Sequence, residues 1–177
     1  MRPFLLPLLC ALALPGHANA ATPLDSLLDT LQHRLAIAED VALHKWDTGQ
    51  PVQAPERERQ VLDNVRTMAP AYGLSADRAE MFFADQIEAN KLVQYQLLSH
   101  WHHLREAPDK PRRDLVEEIR PALDRLQEQL LRQLAEFDQQ APANCETLLA
   151  DTLAQRQPDT AQRPAAIRAA ANLCRRP

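Results

Sequence analysis

The chain has 177 residues, with 24 acidic against 20 basic side chains and a formal net charge of −4. An acidic chain without a basic cluster lacks the electrostatic footprint of a nucleic-acid-binding protein. Beyond the N-terminal segment, no stretch approaches the roughly 18 apolar residues that a membrane span needs. The composition therefore predicts one domain of ordinary size that neither binds nucleic acid nor enters a membrane.

The N-terminal segment, residues 1–20, reads MRPFLLPLLCALALPGHANA. It has one basic residue, Arg2, then an apolar stretch over residues 4–14, and an A-x-A site that ends at Ala20. This order is typical of a cleavable secretory signal peptide. We expect cleavage near Ala20, so that residues 21–177 form the mature domain in the periplasm or outside the cell.

Cysteine usage agrees with export. Cys10 lies in the predicted leader, and Leu9 before it is not the small residue expected at a lipidation site. Two cysteines remain in the mature chain, Cys145 and Cys174. In an oxidising compartment, the simplest prediction for an isolated pair is a disulfide. The alternative, a catalytic or metal-binding thiol, has no CxxC motif or Cys/His cluster to support it.

Composition and periodicity predict an all-α fold of about six helices. The mature chain has only two glycines and is rich in Ala, Leu, Glu, Gln and Arg, which favour helix. Ser75 is expected to cap the long third helix, and Asp109 to open the fourth. Pro121 lies inside that fourth segment, where it must kink the helix or reset its start. The predicted helices cover residues 22–46, 56–68, 75–104, 111–139, 143–155 and 163–173.

The third predicted helix carries amides where an apolar stripe is expected. Phe82 and Trp101 mark its inward face. Gln86, Asn90 and Gln94 fall on or beside that face at positions i, i+4 and i+8. Because a buried amide without a hydrogen bond costs about 1–3 kcal/mol, these side chains need polar partners in the protein or in a ligand.

Charged residues lie beside the apolar stripes of other helices. Arg34 and Lys45 on the first helix are three turns apart and within about 20° of one azimuth. Arg57 and Glu58 open the second helix, where backbone N–H groups also favour anions. Arg120 lies among apolar residues of the fourth. Each one alone is explained as a boundary residue that reaches water. Together they predict a pocket for a ligand with separated anionic groups.

Other chemical motifs are weaker. His100 and His103, in the stretch HWHH, have a spacing that could hold a metal. No carboxylate or third histidine lies at a suitable helical offset, so a polar helix end is the preferred interpretation. The sequence also lacks GxSxG and a glycine-rich phosphate loop. An enzyme on this chain is therefore expected to use no nucleophile, no metal and no cofactor.

In order and spacing, these motifs resemble the exported, all-helical chorismate mutases of the AroQ class, gamma subclass. The stretches RLAIAEDVALHKW, PVQAPERERQVL and FFADQIEANKLVQYQ carry the resemblance, within residues 24–131. The predicted leader in front and the cysteine pair behind match the secreted subclass. The resemblance implies rearrangement of chorismate to prephenate in a site built within one chain's helical bundle, and a protein that is usually a homodimer.

The resemblance also implies roles in substrate binding. Arg34, Arg57 and Arg120 would bind the two carboxylates of chorismate. Asn90 would add a hydrogen bond to one carboxylate, and Glu58 would accept one from the ring hydroxyl group. All of these contacts would hold the substrate in its folded reactive shape.

Lys45 and Gln94 would be the catalytic pair at the ether oxygen, where negative charge grows in the transition state. Two positions depart from the family pattern. Ala54 stands where relatives often have Asp, whose backbone contacts the hydroxyl group, so that contact survives loss of the side chain. Pro121 beside Arg120 alters the local geometry at the third arginine.

Two other classes of protein compete with an enzyme. A non-catalytic periplasmic binding protein for an aromatic dicarboxylate would keep the arginines but would not need Lys45 and Gln94, which serve mainly the ether oxygen. A helical interaction protein would carry its polar residues on outer faces. That reading leaves the arginines near the apolar stripes unexplained.

Overall fold

The computed structural model describes residues 21–156 and 162–175. The predicted leader lies outside them. All regular structure in the described residues is helical, which confirms the all-α prediction. None of these helices combines the length and apolar character that a membrane span requires. The α-helices are α1 (Pro23–Ala36), α2 (Ala38–Thr48), α3 (Pro55–Met68), α4 (Ala76–Leu104), α5 (Arg120–Gln140), α6 (Cys145–Arg156) and α7 (Arg163–Ala169).

Of the six predicted segments, the second, third and fifth follow the prediction closely, and the first is divided. The segment predicted over residues 22–46 forms α1 and α2, which meet at Ile37. Ile37 keeps nearly helical backbone angles, φ −66° and ψ −19°. Its N–H makes a long bond of 3.4 Å to the carbonyl of His33 and is shared with the carbonyl of Leu35. Ser75 caps α4 as predicted, because its hydroxyl oxygen accepts from the N–H of Arg78.

The predicted start of the fourth segment at residue 111 is wrong. Residues 106–114 are not helical, and Asp114 is the capping residue instead of Asp109. The Asp114 carboxylate accepts from the N–H groups of Val116 and Glu117, both at 2.7 Å. One π-helical turn follows (Leu115–Ile119), and α5 begins with Pro121 in its first turn. Helical backbone angles run without a break from the π-helical turn into α5, and Pro121, which has no N–H to donate, falls in the first turn of α5.

The main hydrophobic core lies between α1, α4, α5 and α7. Burying a Leu or Phe side chain contributes roughly 1.5–3 kcal/mol, so this cluster is the main stabilising contact. A smaller cluster of Ala42, Leu43 and Trp101 joins α2 to the end of α4. Fully buried members of the main core include Leu27, Val65, Phe82, Phe83, Leu130, Leu131, Leu134 and Leu173.

The C-terminal segment is fastened by a disulfide and by ion pairs. Cys145 and Cys174 are bonded, with Cα atoms 5.7 Å apart, which confirms the predicted pairing. Helix α6 has no fully buried residue. Arg156 at its end binds Asp25, at 2.7 Å, and Asp29, both on α1. These links attach to the core a helix that buries little apolar surface of its own.

Arg78 on α4 is the most deeply buried cation, with 1% of its surface exposed. It makes a two-bond ion pair with Asp138 at 2.9 and 2.7 Å. Its remaining N–H groups donate to the carbonyls of Asn172 and Leu173. The last predicted helix ends early, at Ala169 rather than residue 173, and the carbonyls beyond its end bind Arg78.

Two more polar residues of α4 bind the same C-terminal segment. The buried carboxylate of Asp85 accepts from the backbone and side chain of Asn172, and from Arg168. Gln86 donates to the carbonyl of Ala169 at 2.6 Å. We call Arg78, Asp85 and Gln86 the C-terminal clasp. Gln86, which had no predicted ligand contact, is thus a structural residue.

Candidate active site

A cavity of about 170 Å³ lies where α1 to α5 meet. All seven side chains that the sequence singled out line it. Helices α1 and α2 each contribute one, α3 and α4 two each, and α5 one. Chain segments that are far apart in sequence are thus brought to one site. The seven residues are Arg34, Lys45, Arg57, Glu58, Asn90, Gln94 and Arg120.

The cavity wall between these polar groups is apolar, and part of it comes from the loop between α2 and α3. Gly49 ends α2 in the left-handed conformation, at φ 68°, which favours glycine. The chain then turns back and places Val52 and Ala54 at the cavity. The other apolar residues of the wall are Val41, Val61, Ile87, Leu115 and Leu123.

Arg34 is a buried cation, only 6% exposed, without a carboxylate hydrogen-bond partner. Its Nη1 donates to the carbonyl of Leu123 at 3.4 Å, and its guanidinium carbon lies 5.9 Å from the ring centre of Phe83. Its Nε has no partner among the described residues. Burial lowers the pKa of Arg34 to about 10, Asp124 opposing and Arg57 reinforcing that effect. The group remains charged at neutral pH and is suited to an anion.

Lys45 on α2 directs its ammonium group at the α2–α3 loop, where it donates to the carbonyl of Val52. Burial lowers the pKa of Lys45, nearby Glu58 opposes this, and Lys91 reinforces it. Since an ammonium group has three N–H donors, one bond to Val52 leaves donors for a ligand.

Glu58 is held at both oxygens. Its Oε1 accepts from the backbone N–H of Ala54 at 2.9 Å, and its Oε2 from Lys91 at 3.1 Å. Ala54, the residue before α3, has no side chain that can cap the helix. Glu58 reaches back from the first part of α3 and accepts from the backbone N–H of Ala54. Burial alone would raise the pKa of Glu58, but those hydrogen bonds and the charges of Lys91 and Lys45 hold it below its usual value.

Asn90 and Gln94 form an amide pair on α4. Gln94 Nε2 donates to Asn90 Oδ1 at 2.6 Å. Gln94 is 3% exposed, and its Oε1 has no partner in the described part of the chain. The amide nitrogen of Asn90 and the second hydrogen of Gln94 Nε2 are free of protein acceptors there. These two donors are available to a ligand in the cavity.

The last two cations come from α3 and α5. Arg57 makes one long ion pair, 3.4 Å, with Asp124, and both side chains are more than a third exposed. Such a pair contributes at most about 1 kcal/mol, so it yields easily to a better anion. Arg120 makes no ion pair within residues 21–156 and 162–175. It lines the cavity even though Pro121 follows it, because Pro121 is accommodated in the first turn of α5.

Lys91 and Asp124 also line the cavity, and sequence reasoning did not select them. Lys91 follows Asn90 and pairs with Glu88, at 2.6 Å, in the i,i+3 arrangement of an ordinary surface pair. What distinguishes Lys91 from an ordinary surface lysine is its contact with Glu58, which lies on another helix. In total the cavity has five cationic and two anionic side chains, a formal excess of three positive charges.

The side chains that line the cavity bear on whether it could hold a metal ion. Across the described residues, no group of three or more His, Cys, Asp or Glu side chains could hold a metal ion. His100 and His103 are exposed at the end of α4, away from the cavity. The donors of the cavity are guanidinium, ammonium and amide groups, which suit an organic anion.

Fold and cavity together define an all-α protein with a cation-rich site for a small organic anion. A family model described as chorismate mutase type II matches residues 25–95. The crystal structure of a chorismate mutase from Burkholderia phymatum is 42% identical, with a TM-score of 0.82, and the alignment covers 87% of this chain and 97% of that one. The chain belongs to the chorismate mutase family, which confirms the resemblance.

Two further comparisons agree. The crystal structure of a chorismate mutase from Burkholderia thailandensis is 35% identical, has a TM-score of 0.80, and is covered over 99% of its chain and 86% of this one. A secreted chorismate mutase from Mycobacterium tuberculosis is 30% identical over 131 residues. That alignment covers 73% of this chain and 65% of the relative, which is slightly less than two thirds of the relative's length.

Proposed function

We propose that this protein is a secreted chorismate mutase that rearranges chorismate to prephenate. In this reaction one C–O bond of the substrate breaks as one C–C bond forms, and no atom leaves. No protein atom becomes covalently bonded, and the proposed mechanism uses neither metal nor cofactor. The observation that carries the proposal is the cavity's excess of positive charge beside two free amide donors, which complements a dianion with an ether oxygen.

Binding of the two carboxylates falls to the three arginines. Within the described residues, the buried Arg34 lacks a carboxylate partner, Arg120 has no ion pair, and Arg57 has a weak one. Guanidinium groups bind carboxylates through paired hydrogen bonds that also set orientation. The free amide N–H of Asn90 adds a donor to one carboxylate. Together these contacts would hold the flexible substrate with its reacting carbons close together.

Lys45 and Gln94 are assigned to the ether oxygen. Negative charge develops there as the C–O bond breaks, so donors already in place stabilise the transition state more than the ground state. Lys45 supplies a full positive charge from α2, and Gln94 supplies a neutral donor from α4. Gln94 is buried and Lys45 is half-buried, which strengthens the interaction because the cavity screens charge less than bulk water does.

Glu58 is assigned to the ring hydroxyl group. Both of its oxygens already accept one hydrogen bond, and each retains a second acceptor position. Its charged form is favoured by two lysines, so it accepts rather than donates near neutral pH. This contact would select a substrate that carries a hydroxyl group at that position.

Export and assembly are part of the proposal. We propose that residues 1–20 are a signal peptide cleaved near Ala20, and that residues 21–177 form one domain in the periplasm or outside the cell. The disulfide and a relative named as secreted support an oxidising location. A homodimer is proposed from the resemblance to the secreted subclass.

The test is direct. Purified residues 21–177 are added to chorismate, the loss of chorismate absorbance is followed, and acid conversion of the product to phenylpyruvate identifies prephenate. Turnover well above the uncatalysed background is expected, with strong loss in Lys45→Met. Binding of chorismate without turnover would contradict the proposal and would indicate a binding protein. If chorismate is neither bound nor converted, the assignment of the cavity as its binding site is wrong.

A further inference from the structure

We propose that Lys91 is a positioning residue, which acts through Glu58 by holding its carboxylate in the orientation that accepts the substrate's ring hydroxyl group. This inference rests on the proposed function and deepens it. Lys91 makes no contact assigned to the two carboxylates or the ether oxygen. Its role would be to determine how well a neighbouring group recognises the hydroxyl group.

The geometry that carries the inference joins three chain segments. Lys91 lies on α4, Glu58 on α3, and Ala54 in the loop before α3. The Lys91 ammonium is 3.1 Å from Glu58 Oε2, and the Ala54 N–H is 2.9 Å from Oε1. With one donor on each oxygen, the carboxylate cannot rotate about its last bond without losing a contact. The orientation of the Glu58 carboxylate at the cavity is thus fixed.

Burial makes this ion pair more than a surface contact. The Lys91 side chain is 14% exposed and that of Glu58 is 24% exposed. At such burial a charge-assisted hydrogen bond is stronger than an exposed one, and removing one partner leaves the other poorly solvated. Glu88, on the outer side of Lys91, is 48% exposed and is not part of the cavity wall.

The contacts of the Lys91 ammonium group explain why Lys91 acts through Glu58 and not on the substrate. Two of its three N–H donors are committed, one to Glu58 and one to Glu88. Burial lowers the pKa of Lys91, but the hydrogen bonds and charges of Glu88 and Glu58 outweigh burial. The pKa of Lys91 therefore lies above its usual value. Two cations face Glu58, Lys45 from α2 and Lys91 from α4. Its neighbour Arg57 pairs with Asp124 instead. Removing Lys91 leaves Glu58 with one cation and one backbone donor.

The first test compares Lys91→Met with Lys91→Arg and Glu88→Gln. In Lys91→Met the acid limb of the kcat/KM profile is expected to move to higher pH, because the Glu58 carboxylate loses a stabilising cation. At pH 5 the loss in kcat/KM is expected to be about tenfold, the scale of one charged hydrogen bond. Lys91→Arg should restore most of it. Glu88→Gln, the matched control on the outer side, should shift neither the limb nor the rate.

The second test separates positioning from direct contact. If Lys91 acts only through Glu58, then adding Lys91→Met to Glu58→Gln should change kcat/KM less than about twofold. Independent losses that multiply in the double variant would overturn the inference. Titration of the Glu58 carboxyl carbon by NMR should show a higher midpoint in Lys91→Met than in the wild-type protein, with no turnover needed for the measurement.

The outcomes distinguish this inference from the proposed function. Wild-type turnover with an unchanged acid limb and an unchanged Glu58 titration in Lys91→Met would overturn the positioning role alone. Absence of wild-type turnover would overturn the proposed function, and the role of Lys91 in recognition with it. A shifted titration, a shifted limb and recovery in Lys91→Arg would together support the inference.

Discussion

The two polar regions of α4 bury similar side chains for different purposes. The C-terminal clasp directs Arg78, Asp85 and Gln86 at carbonyls, carboxylates and amides of the C-terminal segment. The cavity residues Asn90 and Gln94, one and two turns further along, bind each other and no other side chain among the described residues. Unpaired atoms do not distinguish the regions, since Oε1 of both glutamines lacks a partner in the described residues.

The difference lies in where the donors are directed. Clasp donors are used by acceptors fixed in the fold, so they stabilise the chain and leave nothing for a ligand. Cavity donors and cations remain in excess of the acceptors around them, which raises the free energy of the folded protein until an anion binds. A buried polar residue in an apolar stripe is therefore structural or functional according to its partners, not its position in the helix.

The largest expected effect on either region is that of Lys45→Met in the cavity. Loss of the full positive charge at the ether oxygen should reduce kcat/KM about 10³-fold, the scale of one preorganised donor in a low-dielectric site. The melting temperature should stay the same or rise, because a desolvated ammonium group is removed. Both quantities are measured on one preparation, by chorismate consumption and by thermal unfolding. Near wild-type turnover by this variant would contradict the cavity's assignment.

Arg78→Leu is the opposite case, in the clasp. It leaves Asp138 without its buried partner and frees the carbonyls of Asn172 and Leu173. Breaking a buried pair on one side costs about 3 kcal/mol, here reduced somewhat by the partial exposure of Asp138. Urea unfolding should show this loss, while kcat per folded molecule remains within about twofold of wild type. A clasp variant that kept its stability but lost turnover would reverse the comparison.

Much of this division was visible in the sequence, and its limits have physical causes. Helical periodicity and composition are local, so the all-α class and the Ser75 cap were predictable. The cavity residues stood out because charges and amides interrupt apolar stripes, and the family resemblance ordered them. Lys91 was not selected, because only the approach of α3 distinguishes it from a surface lysine.

Two predicted boundaries were wrong, the start of the fourth segment and the end of the last one. Beyond the end of α7, the Asn172 N–H, which a longer helix would direct at the carbonyl of Arg168, donates instead to Asp85, 87 residues away in the chain. The start of the fourth segment was assigned to Asp109, whereas Asp114 is the residue whose side chain caps the helical turn. Pro121 predicted either a kinked helix or a new helix start, and in the structure it lies in the first turn of α5, directly after the π-helical turn.

Gln94→Glu sharpens the comparison through pH. At neutral pH a carboxylate at this buried position would repel the charge that grows on the ether oxygen, whereas a protonated carboxyl group donates as the amide does. Burial raises the pKa of a carboxyl group, so this variant should be active at acidic pH and lose activity as pH rises through that value. We expect about 100-fold lower kcat/KM than wild type at pH 8, with substantial recovery at pH 5. Undiminished activity at pH 8 would refute the role given to Gln94.

The smallest expected effect comes from Gln86→Leu, the matched change two turns before Gln94. It removes the donor to the carbonyl of Ala169, so the unfolding free energy should fall by about 1 kcal/mol. Turnover should be unchanged, because Gln86 does not line the cavity. Gln94→Leu should give the reverse, with stability kept and kcat/KM lost. Since both sites replace the same amide on the same helix, any difference between the two variants reports the partners alone.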